Sequence, residues 1–274
     1  MSTGWLTSAI DRFLSSDFAK GKLVKYWYRY VNKTIGQDAV CFLNYGYDKA
    51  DADRIQLAQS DEINRIYIQL YHAVASAVDL GGLDVLEMSC GRGGGARYVA
   101  DYFEPRLMVG VDRTESAVSF CRKFHENDAL EFVCGDALCF PFAACSFDVV
   151  LNVEASHCYP DVSRFLSEVR RILKPGGHFL YTDFRNEADC HRWREQLVTS
   201  GLELVQEEDI TASVVRGLEL NDQQTRELIR KLVRWPLRGV FRQFAGTTGS
   251  MMHRAFKSRR VQYFRYVLQK TAEA

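Results

Sequence analysis

Residues 85–96 read Val-Leu-Glu-Met-Ser-Cys-Gly-Arg-Gly-Gly-Gly-Ala. A short apolar run that leads directly into glycines predicts a buried strand, a tight turn and the start of a helix. Glycines in such a turn let the backbone approach a ligand closely at the carboxyl end of the strand. Gly91, Gly93 and Ala96 also match the dinucleotide fingerprint G-x-G-x-x-G/A, so this stretch predicts a nucleotide-binding α/β domain.

The downstream sequence repeats the alternation of strand and helix, which is typical of a parallel sheet. Glycine- or aspartate-containing turns close most of the strands, and residues 174–177 end the helix that begins at Val162. We therefore expect an α/β fold with a mostly parallel sheet and helices on both faces. The seven predicted strands are 84–88, 107–111, 130–134, 147–152, 178–183, 202–205 and 261–268.

The pattern divides the chain into four segments. Residues 1–80 are helical in pattern and rich in aromatic side chains, residues 81–210 hold the sheet core, and residues 211–258 form an inserted helical cap. Residues 259–274 supply the final strand and a tail. An apolar stripe near the start must be buried, so we expect it to form part of a lid or to join a homo-oligomer. The stripe consists of Trp5, Leu6, Ile10, Phe13 and Leu14.

The composition argues against several classes of protein. Lys and Arg together number 35, as do Asp and Glu, so the basic surface of a nucleic-acid-binding protein is not expected. No apolar run reaches the ~18 residues that a membrane span needs, and we expect no secretory leader. The eight cysteines include no C-x-x-C pair, which predicts buried, reduced thiols rather than disulfides or zinc ligands. We expect a cytoplasmic protein without a metal site.

Acidic residues end three successive predicted strands. Glu87 stands at the end of the first strand, where a carboxylate suits a cationic ligand and would repel a pyrophosphate. Asp112 closes the second strand and can accept hydrogen bonds from ribose hydroxyls. Asp136 follows the third strand, within residues 135–138, and can accept a hydrogen bond from an adenine amino group. These positions predict a site for adenosine joined to a positive centre.

In this order, the motifs resemble those of the class I methyltransferases that depend on S-adenosylmethionine (SAM). The resemblance covers residues 84–183 and includes the sequences at 147–150 and 174–177. It departs at Ser89, where the family usually has its first glycine. The resemblance implies a Rossmann-like, seven-stranded fold with SAM as the cofactor. The cofactor-binding residues that it implies are Glu87, Ser89, Gly91, Gly93, Asp112, Arg113, Asp136, Ala137, Leu138, Asn152 and Val153.

A closer resemblance extends over residues 27–217. The sequences at 71–72, 79–82, 89–95 and 152–160 are similar to those of the phenolphthiotriolone dimycocerosate O-methyltransferases of lipid synthesis. They resemble the teleocidin-pathway C-methyltransferase, which methylates a prenyl chain on an indole alkaloid, to a similar degree. Both resemblances imply a bulky, hydrophobic small molecule of specialised metabolism as the methyl acceptor.

Two kinds of methyl transfer stay open. The aromatic richness favours C-methylation of a prenyl chain on an indole alkaloid or terpenoid, because ring faces stabilise the resulting carbocation, which can then cyclise. The alternative is O-methylation of a phenol or alcohol on a polyketide-type lipid. A nicotinamide-dependent oxidoreductase is disfavoured, because no second nucleotide-binding half follows the first. A catalytically silent scaffold that keeps a SAM site is also disfavoured, because the acids at the strand ends are intact.

His157 lies after the fourth predicted strand, where cofactor and acceptor would meet. It is the candidate catalytic residue, either as a general base or as a group that only positions the ligands. His72 falls in a helical pattern and is predicted to be structural. The residues predicted to bind the acceptor are Tyr26, Tyr45, Tyr47, Asn64, Tyr71, Phe241 and Phe244.

Overall fold

The computed structural model describes residues 40–50 and 54–272 of the 274-residue chain. Within these residues it contains seven β-strands and nine α-helices. The apolar stripe at residues 5–14 and Tyr26 lie outside the described residues, so the oligomer contact and the acceptor role assigned to them stay predictions. The division of the chain into four segments also stays a prediction.

All seven strands belong to one sheet, in the order β3-β2-β1-β4-β5-β7-β6. Neighbouring strands run parallel, except that β7 is antiparallel to both β5 and β6. The predicted seven-stranded, mostly parallel sheet is therefore confirmed. The strands are β1 Asp84–Met88, β2 Leu107–Asp112, β3 Leu130–Cys134, β4 Phe147–Val153, β5 Leu173–Asn186, β6 Glu203–Asp209 and β7 Val261–Gln269.

Helices connect most of the strands, and four of them fill the insertion between β6 and β7. The sequence pattern predicts a helix over residues 60–78, and the observed helix is shorter, since a 3-10 turn at Glu62–Asn64 precedes it. The helices are α1 Arg65–Ala75, α2 Gly94–Phe103, α3 Glu115–Phe124, α4 Val162–Ile172, α5 Glu187–Val198, α6 Thr211–Leu220, α7 Asp222–Leu232, α8 Arg238–Phe244 and α9 Met251–Lys257.

The inserted helices differ in number from the sequence pattern. The sequence pattern predicts one helix over residues 222–232 and a second toward Phe256; α7 has the predicted bounds, but the second pattern is split into α8 and α9. The split follows from Gly246 and Gly249, whose φ values of 69° and 81° are incompatible with a continuous right-handed helix. Ser250 then begins α9, and its side chain accepts a hydrogen bond from the amide of His253 at 3.2 Å.

The sheet is covered by helices on both faces, as predicted. On one face, α1, α2, α3, α6 and α9 pack onto the strands, and Ile68 and Phe256 are fully buried there. On the other face, α4 and α5 bury Phe165 and Trp193. Both faces of the central strands are therefore closed to water, and ligands have access only at the strand ends.

Ion pairs hold the amino ends of the three central strands together. Lys174 Nζ, near the start of β5, lies 3.0 Å from a carboxylate oxygen of Asp84 on β1 and 2.8 Å from one of Asp148 on β4. Arg106 pairs with the same Asp84 carboxylate. The opposite, carboxyl edge of these strands is where the acidic residues singled out in the sequence lie.

All eight cysteines are free thiols, and the described residues contain no group of three or more side chains that could hold a metal ion. The prediction that the thiols are buried is wrong for most of them, because only Cys90 and Cys121 are buried. The exposed cysteines lie at a strand end or in connecting segments, and they are Cys134, Cys139, Cys145 and Cys158. In the part of the chain that the structure describes, no helix is long and apolar enough to cross a membrane.

Helix α2 can approach α1 only because residue 95 has no side chain. A Cβ atom on Gly95 would lie 1.9 Å from Cε1 of the Tyr71 ring. We expect Gly95→Ala to lower the free energy of unfolding by ~1–3 kcal/mol in urea titrations, as overpacking does. Gly239→Ala, on α8, is the control: nothing lies within 4 Å of its Cβ, so it should be neutral or stabilising. Equal stability of the two variants would contradict the expected crowding.

Candidate active site at the carboxyl edge of the sheet

The loop after β1 is shaped by three residues with left-handed backbone conformation. Ser89, Gly91 and Gly93 have φ values of 59°, 56° and 75°. At Gly93 a side chain would also meet the Phe132 ring at 2.8 Å. Asp112, at the end of β2, anchors the loop because its Oδ2 accepts a hydrogen bond from the Gly91 amide at 3.1 Å. The glycines thus let the loop turn sharply and pack closely against Leu43 and Phe132.

A hydrogen-bonded chain explains how a serine is tolerated at position 89. The Tyr159 hydroxyl accepts a hydrogen bond from Asn152 Nδ2 at 3.0 Å and lies 2.6 Å from Ser89 Oγ. Since the tyrosine accepts from Asn152, its own proton is available to donate to Ser89. The serine thereby ties the loop to the end of β4, which helps to offset the cost of its left-handed φ.

Glu87, at the carboxyl end of β1, is a buried carboxyl group with only half of its oxygens satisfied. Its Oε1 accepts a hydrogen bond from the Tyr71 hydroxyl at 2.7 Å. Its Oε2 has no hydrogen-bond partner among the described residues, and the same holds for Oδ1 of the buried Asn152 on the neighbouring β4. Burial raises the pKa of Glu87 to about 7. Two unsatisfied acceptors on adjacent strands are suited to a ligand that donates hydrogen bonds and carries positive charge.

The other predicted cofactor residues lie along the ends of β2, β3 and β4. Burial raises the pKa of Asp112, and its Oδ1 accepts a hydrogen bond from the Thr114 amide at 2.9 Å. The exposed Asp136 accepts one from the Leu138 amide at 2.9 Å. Arg113 is exposed, whereas Ala137 and Val153 are buried.

The apolar segment that follows Asp136 packs inward. Phe140 is buried and its ring lies 6.5 Å from that of Phe165 in the core. Phe142 packs edge-on against Phe147 at 5.0 Å between ring centroids. These two rings therefore belong to the core beneath the strand ends, although the sequence places them beside a predicted adenine site.

His157 is paired with Asp183, which is not among the site residues predicted from the sequence. The His157 ring nitrogen Nδ1 lies 2.8 Å from Asp183 Oδ1, and the His157 amide donates to Asp183 Oδ2 at 2.9 Å. The His157 side chain keeps 21% of its surface exposed, while Asp183 is fully buried. A carboxylate at Nδ1 orients the imidazole and leaves Nε2 as the nitrogen for other partners.

The Asp183 carboxylate has enough partners to stay ionised in spite of its burial. Burial alone would raise the pKa of Asp183, but His157 and Arg185 outweigh it and hold the pKa well below its ordinary value. Ser156 Oγ also donates to Oδ2 at 2.6 Å. Asp183 lies near the carboxyl end of β5, so the rule that selects acids at the ends of β1, β2 and β3 would also have found it.

The charge on His157 follows from the same pair. Burial is the largest single influence and would lower the pKa of His157, but the charge and hydrogen bond of Asp183, together with Cys158, outweigh it, and the pKa is raised to about 10. The imidazole is therefore mostly protonated at neutral pH in this ligand-free geometry. Its ring packs on Phe184 at 4.4 Å between centroids, so one side of the cation faces an aromatic surface.

Glu154 connects the aromatic segment around Tyr45 to the same edge of the sheet through hydrogen bonds. Its Oε1 accepts hydrogen bonds from the Tyr45 amide and the Tyr263 hydroxyl, both at 2.7 Å. Burial raises the pKa of Glu154 to about 8. The Tyr45 ring then packs against Phe184 at 5.5 Å and Phe256 at 5.2 Å. The predicted acceptor residue Tyr45 therefore lies in the aromatic cluster that borders His157.

The remaining predicted acceptor residues are spread over a wider region. Tyr71 is bonded to Glu87, and the backbone carbonyl of Phe244 accepts a hydrogen bond from the Tyr45 hydroxyl at 3.0 Å. Phe241 is buried on α8.

Two predicted acceptor residues are separate from this cluster. The backbone of Tyr47 packs against Gly217 of α6, and its carbonyl accepts a hydrogen bond from Gln69 Nε2 at 2.8 Å. Asn64 lies at the start of α1, about 10 Å along the helix axis from Tyr71. The acceptor role of these two residues stays a prediction. His72 bonds to the Tyr98 hydroxyl at 2.8 Å, which agrees with its predicted structural role.

Comparisons with known proteins connect this geometry to a chemistry. The family model described as "Methyltransferase domain" matches residues 86–181. A phthiotriol/phenolphthiotriol dimycocerosates methyltransferase of Mycobacterium tuberculosis is 41% identical over 90% of this chain and 91% of its own length. A fatty-acid O-methyltransferase of Mycolicibacterium smegmatis is 47% identical over 72% of each chain. The crystal structure of a geranyl diphosphate C-methyltransferase from Streptomyces coelicolor superposes with a TM-score of 0.63 at 16% identity, covering 89% of this chain and 96% of that one.

The pairing of His157 with Asp183 is testable by titration. We expect Asp183→Asn to lower the pKa of His157 from its raised value toward or below the ordinary 6.5, because burial then acts without the opposing carboxylate. The measurement is the NMR shift of the imidazole protons against pH. Asp136→Asn removes an exposed carboxylate on a different strand end and should leave the His157 pKa unchanged. An unaltered pKa in Asp183→Asn would show that the pair has been misassigned.

The same pair makes stability depend on pH. A pKa that is raised in the folded state stabilises the protein fully below the unfolded value of 6.5, and this stabilisation is lost as the pH rises to about 10. The free energy of unfolding of the wild-type protein should therefore fall across this range, and Asp183→Asn should lack that part of the decrease.

Proposed function

The chain belongs to the class I SAM-dependent methyltransferases, and we propose that it transfers a methyl group to a hydroxyl oxygen on a long-chain lipid. The two methyltransferases reported above support a lipid acceptor, since they match most of the chain at 41% and 47% identity. They favour O-methylation over the C-methylation of a prenyl chain that the aromatic residues indicate. The geranyl diphosphate enzyme shares the fold but, at its low identity, does not support a shared acceptor.

SAM is the cofactor, and when bound it supplies a methyl group on a positively charged sulfur. The residues present fit such a molecule, because Glu87 Oε2 and Asn152 Oδ1 are buried acceptors without a partner among the described residues. In our proposal they accept hydrogen bonds from its amino group. Asp112 accepts hydrogen bonds from the ribose hydroxyls. The further contacts we assign to the cofactor come from Ser89, Gly91, Gly93, Arg113, Asp136, Ala137, Leu138 and Val153.

The observation that carries the choice of a hydroxyl acceptor is the bond between His157 and Asp183. A hydroxyl must give up its proton when its oxygen forms a bond to carbon, and a positioned base accepts that proton. With Nδ1 held by Asp183, neutral His157 offers Nε2 for this purpose. The carboxylate stabilises the imidazolium that results, which is the same effect that raises the His157 pKa.

The aromatic cluster beside His157 suits the chain of a lipid. Phe184 contacts His157, Tyr45, Phe256 and Tyr263, and ring centroids in these pairs lie 4.4 to 5.9 Å apart. Such a surface gains free energy when it covers apolar groups and keeps water away from the reacting oxygen. We assign the acceptor chain to this side of His157.

A carboxylate oxygen is the second candidate acceptor. The raised pKa of His157 favours it, because a protonated imidazole binds a carboxylate and no base is needed to activate one. The identity to the fatty-acid O-methyltransferase points the same way. The two candidates differ in whether the reaction needs neutral or protonated His157.

The cofactor assignment is tested by calorimetric titration with SAM. Asp112→Ala should raise the dissociation constant at least tenfold, since two charge-assisted hydrogen bonds of ~1.5–3 kcal/mol each are lost. Asp128→Ala removes an exposed carboxylate at the amino end of β3, on the edge of the sheet opposite the candidate site, and serves as the control. Unchanged affinity in Asp112→Ala would remove this residue from the cofactor site.

The acceptor assignment is tested with His157→Ala and a pair of acceptors, a long-chain alcohol and a fatty acid of equal chain length. We expect the variant to lose about 10²-fold in kcat with the alcohol, as removal of a general base does, and to bind SAM as before. His191→Ala, at an exposed histidine, is the control. Mass spectrometry distinguishes a methyl ether, a methyl ester and a C-methyl product.

The pH dependence of turnover separates the two oxygen acceptors. With a hydroxyl acceptor, kcat should rise from pH 7 toward pH 10, because the fraction of neutral His157 increases up to its pKa of about 10. With a carboxylate acceptor, turnover should fall over the same range. Formation of a C-methyl product alone would overturn the proposal of O-methylation.

A further inference from the structure

The junction of α7 and α8 carries an exposed tryptophan within a basic stretch. Trp235 is 81% exposed and Val240 is 41% exposed. Residues 228–244 contain five basic residues and no acidic one, although the whole chain has equal numbers of both. We call the following exposed residues the Trp235 surface: Arg230, Lys231, Arg234, Trp235, Val240 and Arg242.

The cations of this surface are not engaged in ion pairs. Among the residues that the structure describes, none of the four exposed basic side chains of the Trp235 surface pairs with a carboxylate. Exposed cations elsewhere on the chain often do, as Arg194, Lys257 and Arg259 show. The Trp235 surface therefore presents uncompensated positive charge.

The surface has a fixed backbone. Arg238 Nε donates to the carbonyl of Val233 at 2.8 Å, and another nitrogen of its guanidinium donates to the carbonyl of Arg230 at 2.7 Å. These hydrogen bonds connect the start of α8 to the end of α7, so Trp235 lies in a turn whose two flanking helices are held together. Pro236 follows it in the 3-10 turn and further restricts the backbone.

We propose that the Trp235 surface docks on the surface of a membrane that contains anionic lipids. An indole ring prefers the interface between headgroups and acyl chains, and basic side chains around it are attracted by anionic headgroups. The combination of a projecting tryptophan, a neighbouring valine and unpaired cations matches both properties of such a surface. An acidic protein would complement the charge but would not require an aromatic ring at the centre.

The position of α8 connects this surface to the candidate active site. The end of α8 is joined to the aromatic cluster by the hydrogen bond from the Tyr45 hydroxyl to the carbonyl of Phe244. The Tyr45 ring contacts Phe184, which contacts His157. A lipid acceptor drawn from the membrane would therefore enter beside α8. This delivery role rests on the proposed function, whereas membrane binding itself does not.

Vesicle binding of the full chain tests the proposal. We expect the protein to co-sediment with vesicles of mixed phosphatidylcholine and phosphatidylglycerol and to bind vesicles of phosphatidylcholine alone much more weakly. The triple variant Arg230→Gln, Arg234→Gln, Arg242→Gln should lower the partition coefficient for anionic vesicles about 100-fold. Trp235→Ala should lower it about tenfold.

The matched control is the triple variant Lys123→Gln, Arg192→Gln, Arg260→Gln. It removes the same charge from exposed residues on other elements and should bind nearly as well as the wild-type protein. If both triple variants lose vesicle binding to the same extent, the loss is due to net charge alone and the proposal is wrong. Absence of binding to anionic vesicles would also overturn it and leave the surface to an acidic protein partner.

A second assay, the methylation of a short, water-soluble acceptor, distinguishes failure of membrane docking from failure of the proposed function. The Arg230, Arg234 and Arg242 triple variant should methylate such an acceptor at the wild-type rate, because none of these residues lies in the site. Vesicle binding without lipid O-methylation would leave the docking surface valid and the proposed acceptor wrong.

Discussion

The carboxyl edge of the sheet has to bury three carboxyl groups, and the placement of the surrounding segments depends on how each is satisfied. Glu87 is the penultimate residue of β1, Glu154 directly follows β4, and Asp183 lies in β5. A carboxyl group removed from water must find hydrogen-bond donors, take up a proton or pair with a cation. The partners come from distant parts of the sequence, including the segment around Tyr45, helix α1 and strand β7. The carboxyl groups therefore hold the cover of the site in place as much as they line it.

The three groups are satisfied in two different ways. Asp183 has cationic partners and keeps its negative charge, whereas Glu87 and Glu154 have tyrosine hydroxyls and a backbone amide and have raised pKa values. The charge of the first is thus neutralised within the protein. Glu87 has no cationic side chain among the groups of the described residues that shift its pKa, and Glu154 has only His157, whose effect is smaller than that of burial. A positively charged ligand next to Glu87 would supply the partner that this carboxylate lacks within the protein. This agrees with the cationic cofactor of the family.

The sequence was a good guide where the signal is local. A short apolar run that ends in a glycine turn or an acidic residue indicates a buried strand and its boundary. All seven strands and the loop at Ser89 could therefore be predicted from the sequence. Two features could not be predicted in this way. The split between α8 and α9 depends on glycines that adopt left-handed φ values within a helical pattern. The inward packing of Phe140 depends on contacts with residues far away in the sequence. The partner of His157 lies 26 residues further along the chain, on the neighbouring strand. Asn64 and Tyr71 are seven residues apart, a spacing that predicts a shared helix face but leaves them about 10 Å apart along the helix axis.

The strand order has a consequence for how the protein is made. Strand β6 pairs with β7 alone, and β7 lies between β5 and β6. During translation, β1 to β5 can assemble as they leave the ribosome, but β6 has no neighbour until four helices and β7 have also been synthesised. For that interval β5 presents an open edge, with unpaired backbone groups that attract other strands. We therefore expect β7 to enter between β5 and β6 late in folding, and the edge of β5 to stay open to misassembly until it does.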